Sequence, residues 1–131
     1  MPSIVIDVCR AYAPHEETAI MEAVAGALHE VFCVPRALRN VLLQVHAPHR
    51  LMGKPDSPDP SRTTNVSLFV LAGRSLDAKR RLYAAIVERL AALGIPPACV
   101  LIKLHELPAQ DVGVRGGQAA CDVELGYSTQ V

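Results

Sequence analysis

The 131-residue chain carries no net charge: thirteen Lys and Arg side chains are balanced by thirteen Asp and Glu. That balance removes the electrostatic reason to expect a nucleic acid or an anionic lipid surface as partner. No apolar run approaches the roughly 20 residues needed to span a membrane. The amino terminus also lacks the basic start and long apolar stretch of a signal peptide. The four cysteines, Cys9, Cys33, Cys99 and Cys121, contain no C-x-x-C pair. Reduced thiols in a cytoplasmic protein fit this scatter better than a disulfide framework. His46 with His49, and His29 with Cys33 at i, i+4 spacing, bring no third or fourth ligand for zinc. Gly113, Gly116 and Gly117 make neither a dinucleotide nor a phosphate-loop fingerprint. No metal and no organic cofactor are expected.

What is present is an ordinary globular composition, half hydrophobic and one-fifth charged, in a length that suits one domain over residues 1–131. SIVIDV at 3–8 reads as a strand, and Ile20, Ala23, Val24, Ala27, Leu28 and Val31 form a helical stripe within 15–32. Pro14 stands near that helix start, where its missing N–H costs nothing. NVLLQVH at 40–46 is a second strand. The order then recurs. NVSLFVL at 65–71 is a strand, and Ser75 can cap a helix with Asp77 in its first turn. Leu82, Ile86, Val87, Leu90 and Leu93 supply that helix with a buried stripe and Gly94 stops it. CVLIKLH at 99–105 ends the second unit. VLLQVH at 41–46 returns as VLIKLH at 100–105, which marks a duplication or fusion of one β-α-β unit.

The predicted organisation is a first unit over 1–46, a linker over 47–64, a second unit over 65–117 and a tail over 118–131. The fold class is α+β: two tandem β-α-β units form a four-stranded sheet with two helices on one face. Within each unit the strands should be parallel. Ile4, Ile6, Val8, Val41, Leu43, Val45, Val66, Leu68, Val70, Val100, Ile102 and Leu104 can share the helix-covered face. The other face mixes Val5, Leu42, Phe69 and Leu101 with Asp7, Gln44, His46, Ser67, Lys103 and His105. It is too apolar to be left wet and should pack in an oligomer while keeping polar groups for a site. The linker contains Pro48, Pro55, Pro58 and Pro60 and is longer than most connections, so it is either a functional lid or a mobile joiner.

Pro2 directly before an apolar strand is the sharpest chemical feature. Methionine is normally trimmed before a small residue, which would leave a secondary amine. An ordinary α-amino group titrates near ~7.7–8.0. An apolar pocket and a nearby cation disfavour its charged form, and the neutral amine can take a proton from carbon beside a carbonyl. Arg74 beside a helix start is either solvated or a bidentate carboxylate contact. Arg115, in the glycine-rich turn at 113–117, is either a second anion contact or a tail charge. Lys103 could stabilise an enolate or pair across an interface. His46 and His105 recur at matching strand ends, where histidines are more often structural.

Pro2 before a strand, the duplicated β-α-β unit and Gly73-Arg74-Ser75 opening the second helix together resemble the tautomerase superfamily. ELPAQDVGVRGG at 106–117 looks like the end of a 4-oxalocrotonate tautomerase subunit, and with HAPHR at 46–50 it is closest to the longer, fused members. The resemblance implies that Pro2 is base or proton shuttle and that arginines hold a substrate carboxylate and stabilise an enolate. Arg74 matches the arginine of the G-R-S turn in the second half, and Tyr12 holds its place in the first. The family's second arginine falls near Asn40, with Arg39 adjacent, and its later copy at Leu101. The aromatic wall falls at Val112. In the branch that hydrolyses cis-3-chloroacrylic acid, His29 matches the helix histidine, while the acid falls at Val114, the tyrosine at Lys103 and the other arginine at Leu71. The acid of the malonate semialdehyde decarboxylase branch falls at Leu38.

The resulting expectation is a cytoplasmic, cofactor-independent isomerase. It would carry out keto–enol or 1,3-proton transfer on a small carboxylate-bearing 2-oxo acid as a homotrimer. Pro2 would be catalytic, with Arg74, Arg115, Arg39 and Lys103 as substrate contacts. The alternatives are a non-catalytic trimeric homologue serving as a binding module, or hydratase, dehalogenase or decarboxylase chemistry.

Overall fold

A computed structural model describes residues 2–131. Trimming of Met1 therefore concerns a residue outside the described ones. Strand β1 (Ser3–Val8) leads through helix α1 (Pro14–Phe32) to β2 (Asn40–Val45), and β3 (Thr64–Leu71) leads through α2 (Leu76–Ala92) to β4 (Val100–Leu107). The four strands form one sheet in the order β2-β1-β3-β4. β1 is parallel to β2 and β3 is parallel to β4, as duplicated β-α-β units require. Sequence alternation left the join between the halves open. The structure makes it antiparallel, with Ser3 opposite Phe69 and Val8 opposite Thr64. The architecture is thus the α+β arrangement read from the sequence.

Period-two alternation sorts each central strand. Ile4, Ile6, Val8, Val66, Leu68 and Val70 are buried, and they cluster with Ile20, Val24, Leu28 and Phe32 of α1 and Leu82, Ile86 and Leu90 of α2. Both helices therefore lie on one face. The opposite face is the mixed one. Leu42 and Leu101 are about half exposed there, the Phe69 and His105 rings stack at 4.5 Å, and His46 Nε2 meets Asp7 Oδ1 at 2.6 Å.

The helix ends follow local chemistry. Pro14 occupies the first turn of α1, and the Ala13 N–H donates to Glu16 Oε1 at 3.0 Å. Ser75 Oγ accepts the Ala78 N–H at 3.1 Å, capping α2. At the other end Gly94 adopts φ +88°, which lets the N–H groups of Gly94 and Ile95 reach the carbonyls of Ala91 and Leu90 at 3.0 and 3.1 Å.

The proline-rich linker crosses the end of the sheet where β1 finishes and β4 starts. The Cys9 thiol donates to the Pro60 carbonyl at 3.5 Å and the Cys99 thiol to the Asp59 carbonyl at 3.3 Å. That is the end opposite Pro2, so within one protomer the linker does not cover Pro2. After β4 a two-stranded hairpin, β5 (Gly113–Val114) with β6 (Gln118–Ala119), precedes the tail.

Leu28 is 1% exposed at the seam between α1 and the sheet. Leu28→Ala should lower unfolding free energy by about 2–5 kcal/mol, the usual cost of lost burial plus a residual cavity. Urea titration read by circular dichroism checks this, and an unchanged midpoint would contradict the core assignment.

Candidate active site

Three chain segments converge at the start of β1. Ser3 pairs with Asn40 on one side and Phe69 on the other, so Pro2, one residue earlier, lies beside Arg39 and Val70. Helix α1 must run back along the sheet to connect two parallel strands, which brings its last turn, with His29 and Phe32, to this end. β3 finishes here too, and the turn Ala72–Ser75 leads straight into α2. Pro2 is buried and shares the parity of Ile4 and Ile6, which places it on the helix-covered side of the sheet.

Arg74 is a buried cation at this end. It is only 6% exposed, and its guanidinium carbon stands 4.7 Å from the centre of the Phe32 ring, a cation–π contact. Its Nη1 donates to the Leu71 carbonyl at 2.8 Å. Its Nε has no partner. Burial pulls the guanidinium below its ordinary pKa, opposed by the nearby Tyr127, Glu106 and Cys33. An arginine remains cationic at neutral pH even so. Glu106, at the end of β4, pairs its carboxylate with Lys79 of α2 and lies near the Gly73 N–H. Those contacts, led by Lys79, hold the Glu106 carboxyl below its ordinary value.

His29 is 8% exposed. Its Nδ1 lies 3.0 Å from the Val34 carbonyl, which can only accept, so Nδ1 carries the proton of that bond. In the neutral ring Nε2 is then a bare acceptor, and it has no partner. Among the described residues, His29 Nε2 and Arg74 Nε are the buried side-chain nitrogen and oxygen atoms left unpaired. An unmet buried polar group costs about 1–3 kcal/mol. Both belong to residues that border Phe32, His29 one helical turn before it and Arg74 over its ring. One donor and one acceptor are thus left unmet at the end of the sheet where Pro2 is buried.

The other sequence candidates are placed elsewhere in the protomer. Arg39 neighbours Pro2 in the register, but its side chain is half exposed and pairs with Glu22 of α1. Lys103 is opposite Ser67 on the sheet face away from the helices. Arg115 sits in the β5–β6 turn at φ +48°, and its Nη2 donates to the Glu124 carbonyl at 2.6 Å. Phe32, Tyr127 and Glu106 were not anticipated. Phe32 continues the apolar stripe of α1, so its presence at this end could have been found. Tyr127 lies in an aperiodic tail that gives no signal. Among the described residues no group of three or more His, Cys, Asp or Glu side chains is arranged to hold a metal ion, and no helix is long and apolar enough to cross a membrane.

A family model described as a tautomerase enzyme matches residues 39–115. No curated protein matches the chain. Among solved structures, FG41 malonate semialdehyde decarboxylase inhibited by 3-bromopropiolate is 30% identical, with a TM-score of 0.81, 89% of this chain covered and 92% of that one. A native fused 4-OT is 21% identical at a TM-score of 0.83, covering 92% and 98% of the two chains. A fused 4-OT described as a symmetric trimer is 24% identical at 0.80, covering 90% and 95%. The last two share the fold. The family model spans more than half of the chain and the decarboxylase nearly all of it, so the chain belongs to the tautomerase superfamily.

Proposed function

We propose that the protein is a cofactor-independent isomerase that moves a proton between carbon and oxygen, or between two carbons, of a small 2-oxo acid. The observation that carries this reading is the pairing of Pro2 with two unmet buried groups, Arg74 Nε–H and His29 Nε2. A carboxylate suits the arginine. An enol hydroxyl suits the bare histidine nitrogen. An enolic 2-oxo acid carries both.

With Met1 removed, Pro2 presents a secondary amine. Apolar surroundings and the Arg74 charge both favour its neutral form. The amine takes a proton from the carbon next to the carbonyl, and the electron pair becomes an enolate held by Arg74. The protonated Pro2 then returns the proton to the second site, so no atom is gained or lost. The guanidinium is buried and already in place, so it stabilises developing charge without reorganisation.

Assembly as a homotrimer is part of the proposal. The half-apolar outer face of the sheet needs a cover, and a relative of the same fold is described as a symmetric trimer. Lys103 on that face and Arg115 on the hairpin are the cations a neighbouring subunit could add to the site. The four free thiols suit a cytoplasmic setting. Decarboxylation of a 3-oxo acid is the second reading, favoured by the 30% identical decarboxylase. That reading prefers a cationic Pro2 to polarise the carbonyl, and in this chain Leu38 stands where that branch has its acid.

Light scattering at micromolar concentration should give three times the 14.1 kDa protomer mass; a monomer would overturn the trimer. In a sample whose intact mass verifies a Pro2 start, phenylenolpyruvate should be ketonised without added metal. Pro2→Ala should reduce kcat/KM by about 10²–10⁴-fold, the usual contribution of a positioned acid–base group. Arg74→Ala should raise KM, and should also lower kcat if the guanidinium meets the enolate. Arg74→Lys keeps the charge, loses the fork and should rescue poorly. The pH profile should fall on the acid side as Pro2 becomes protonated, with that limb moved in Pro2→Ala. Full activity in Pro2→Ala would end the amino-terminal-base mechanism. Carbon dioxide release from malonate semialdehyde without enol ketonisation would favour the second reading.

A further inference from the structure

We propose that residues 127–131 form a strap that occupies the carboxylate subsite beside Arg74, and that the substrate enters by displacing it; this rests on reading Arg74 as the carboxylate anchor. The subsite has two parts. One is the Arg74 guanidinium. The other is the amino-terminal end of α2, where the unused N–H groups and the helix dipole favour an anion. The Ser75 N–H at that end is already taken: it donates to a main-chain oxygen of Val131 at 2.7 Å.

The approach of the strap is close. A Cβ added to Gly73 would stand 2.6 Å from the Thr129 carbonyl oxygen and 2.5 Å from the Gln130 side-chain nitrogen. Only glycine lets the strap lie so near, and φ +139° at Gly73 is a conformation that other residues rarely adopt. Tyr127 packs part-buried against the core at the head of the strap.

The occupant satisfies the site incompletely. It meets the Ser75 N–H, yet Arg74 Nε and His29 Nε2, in side chains 6% and 8% exposed, stay unpaired beneath it. A small enolic acid can meet the Ser75 N–H and Arg74 through its carboxylate and His29 through its hydroxyl. The strap is the weaker partner in other respects too. It has no regular secondary structure, and its internal bond runs from the Gln130 N–H to Ser128 Oγ at 3.1 Å. The strap therefore acts as an internal competitor: it keeps water and larger anions off Arg74, and it scales apparent affinity down to the fraction of time it is open.

The test uses malonate as a non-reacting dicarboxylate probe, titrated calorimetrically into the full chain with a verified Pro2 start. The same titration is made with Tyr127→Ala and with a chain ending at Gly126, each checked for native circular dichroism and oligomeric state. A strap closed about nine-tenths of the time predicts a roughly tenfold tighter malonate Kd when it is removed, a lower KM by a similar factor and kcat little changed. Arg74→Ala in the shortened chain should abolish the gain. In the full chain, saturating malonate should speed amide hydrogen exchange at 128–131. If the shortened chain fails to fold, Tyr127→Ala and the exchange experiment decide alone. Malonate affinity equal or weaker in the variants, or unchanged exchange in the tail, overturns the strap. Malonate binding needs no turnover, so a protein that shows the strap effect but never ketonises an enol overturns the isomerase reading instead.

Discussion

Because β1 and β3 run antiparallel in the middle of the sheet, the first residue of one half lies beside the last residues of the other. Everything at the candidate site depends on that pairing. Pro2 cannot travel, since it is one residue from a strand locked on both sides by ladder bonds. Arg74 cannot travel either: it sits three residues beyond β3 in a turn closed by Ser75 capping α2. A parallel join would have put the amine and the guanidinium at opposite ends of the sheet. The pairing also fixes the helices antiparallel, so the carboxyl end of α1 and the amino end of α2 lie at the same end of the sheet.

The duplication makes the second end of the molecule a control. Thr64 stands at the start of β3 much as Pro2 stands before β1, and Tyr12 holds the place that Arg74 has in the other half. The cations at that end are already engaged. Arg62 donates to the Tyr12 hydroxyl at 3.3 Å and lies 5.4 Å from its ring centre, and Arg10 lies 5.8 Å from the same ring. Thr64 turns its hydroxyl to the Arg62 carbonyl at 2.8 Å. No amine can be freed there, and the linker is fastened across that end through Cys9 and Cys99. Two copies of one fold thus carry one end with a buried Pro2 and unmet hydrogen-bonding groups, and another whose polar groups satisfy each other.

Much of the fold could be read from the sequence because its signals are local. Alternation in SIVIDV and NVSLFVL named the buried face, Ser75 and Gly94 bounded α2, and the VLLQVH repeat gave the duplication. The antiparallel join could not be read, since it depends on long-range pairing that alternation does not encode. Of the candidate site, Pro2 and Arg74 were visible through position and motif. Lys103 was placed on the mixed sheet face by alternation, and it lies there, opposite Ser67. Arg39 was named only as the neighbour of Asn40, and no sequence pattern pointed to Glu22 pairing with its side chain. Tyr127 and the tail were illegible because their placement follows from packing against a turn some fifty residues earlier, not from any pattern of their own.

Burial of Arg74 is the energetic hinge between stability and chemistry. Taking a guanidinium out of water is costly unless its surroundings compensate. Here the compensation is partial by construction: an aromatic face from Phe32, one carbonyl from Leu71, and the carboxylate of Glu106 at longer range. A nearer carboxylate from the protein would have satisfied the cation and stabilised the fold. Arg74 is thus left short of an anion, with its Nε unpaired. The stability forgone at Arg74 is recovered in the aliphatic core beneath it, where Ile4, Ile6, Leu28, Leu68, Leu82 and Ile86 are all nearly inaccessible to water.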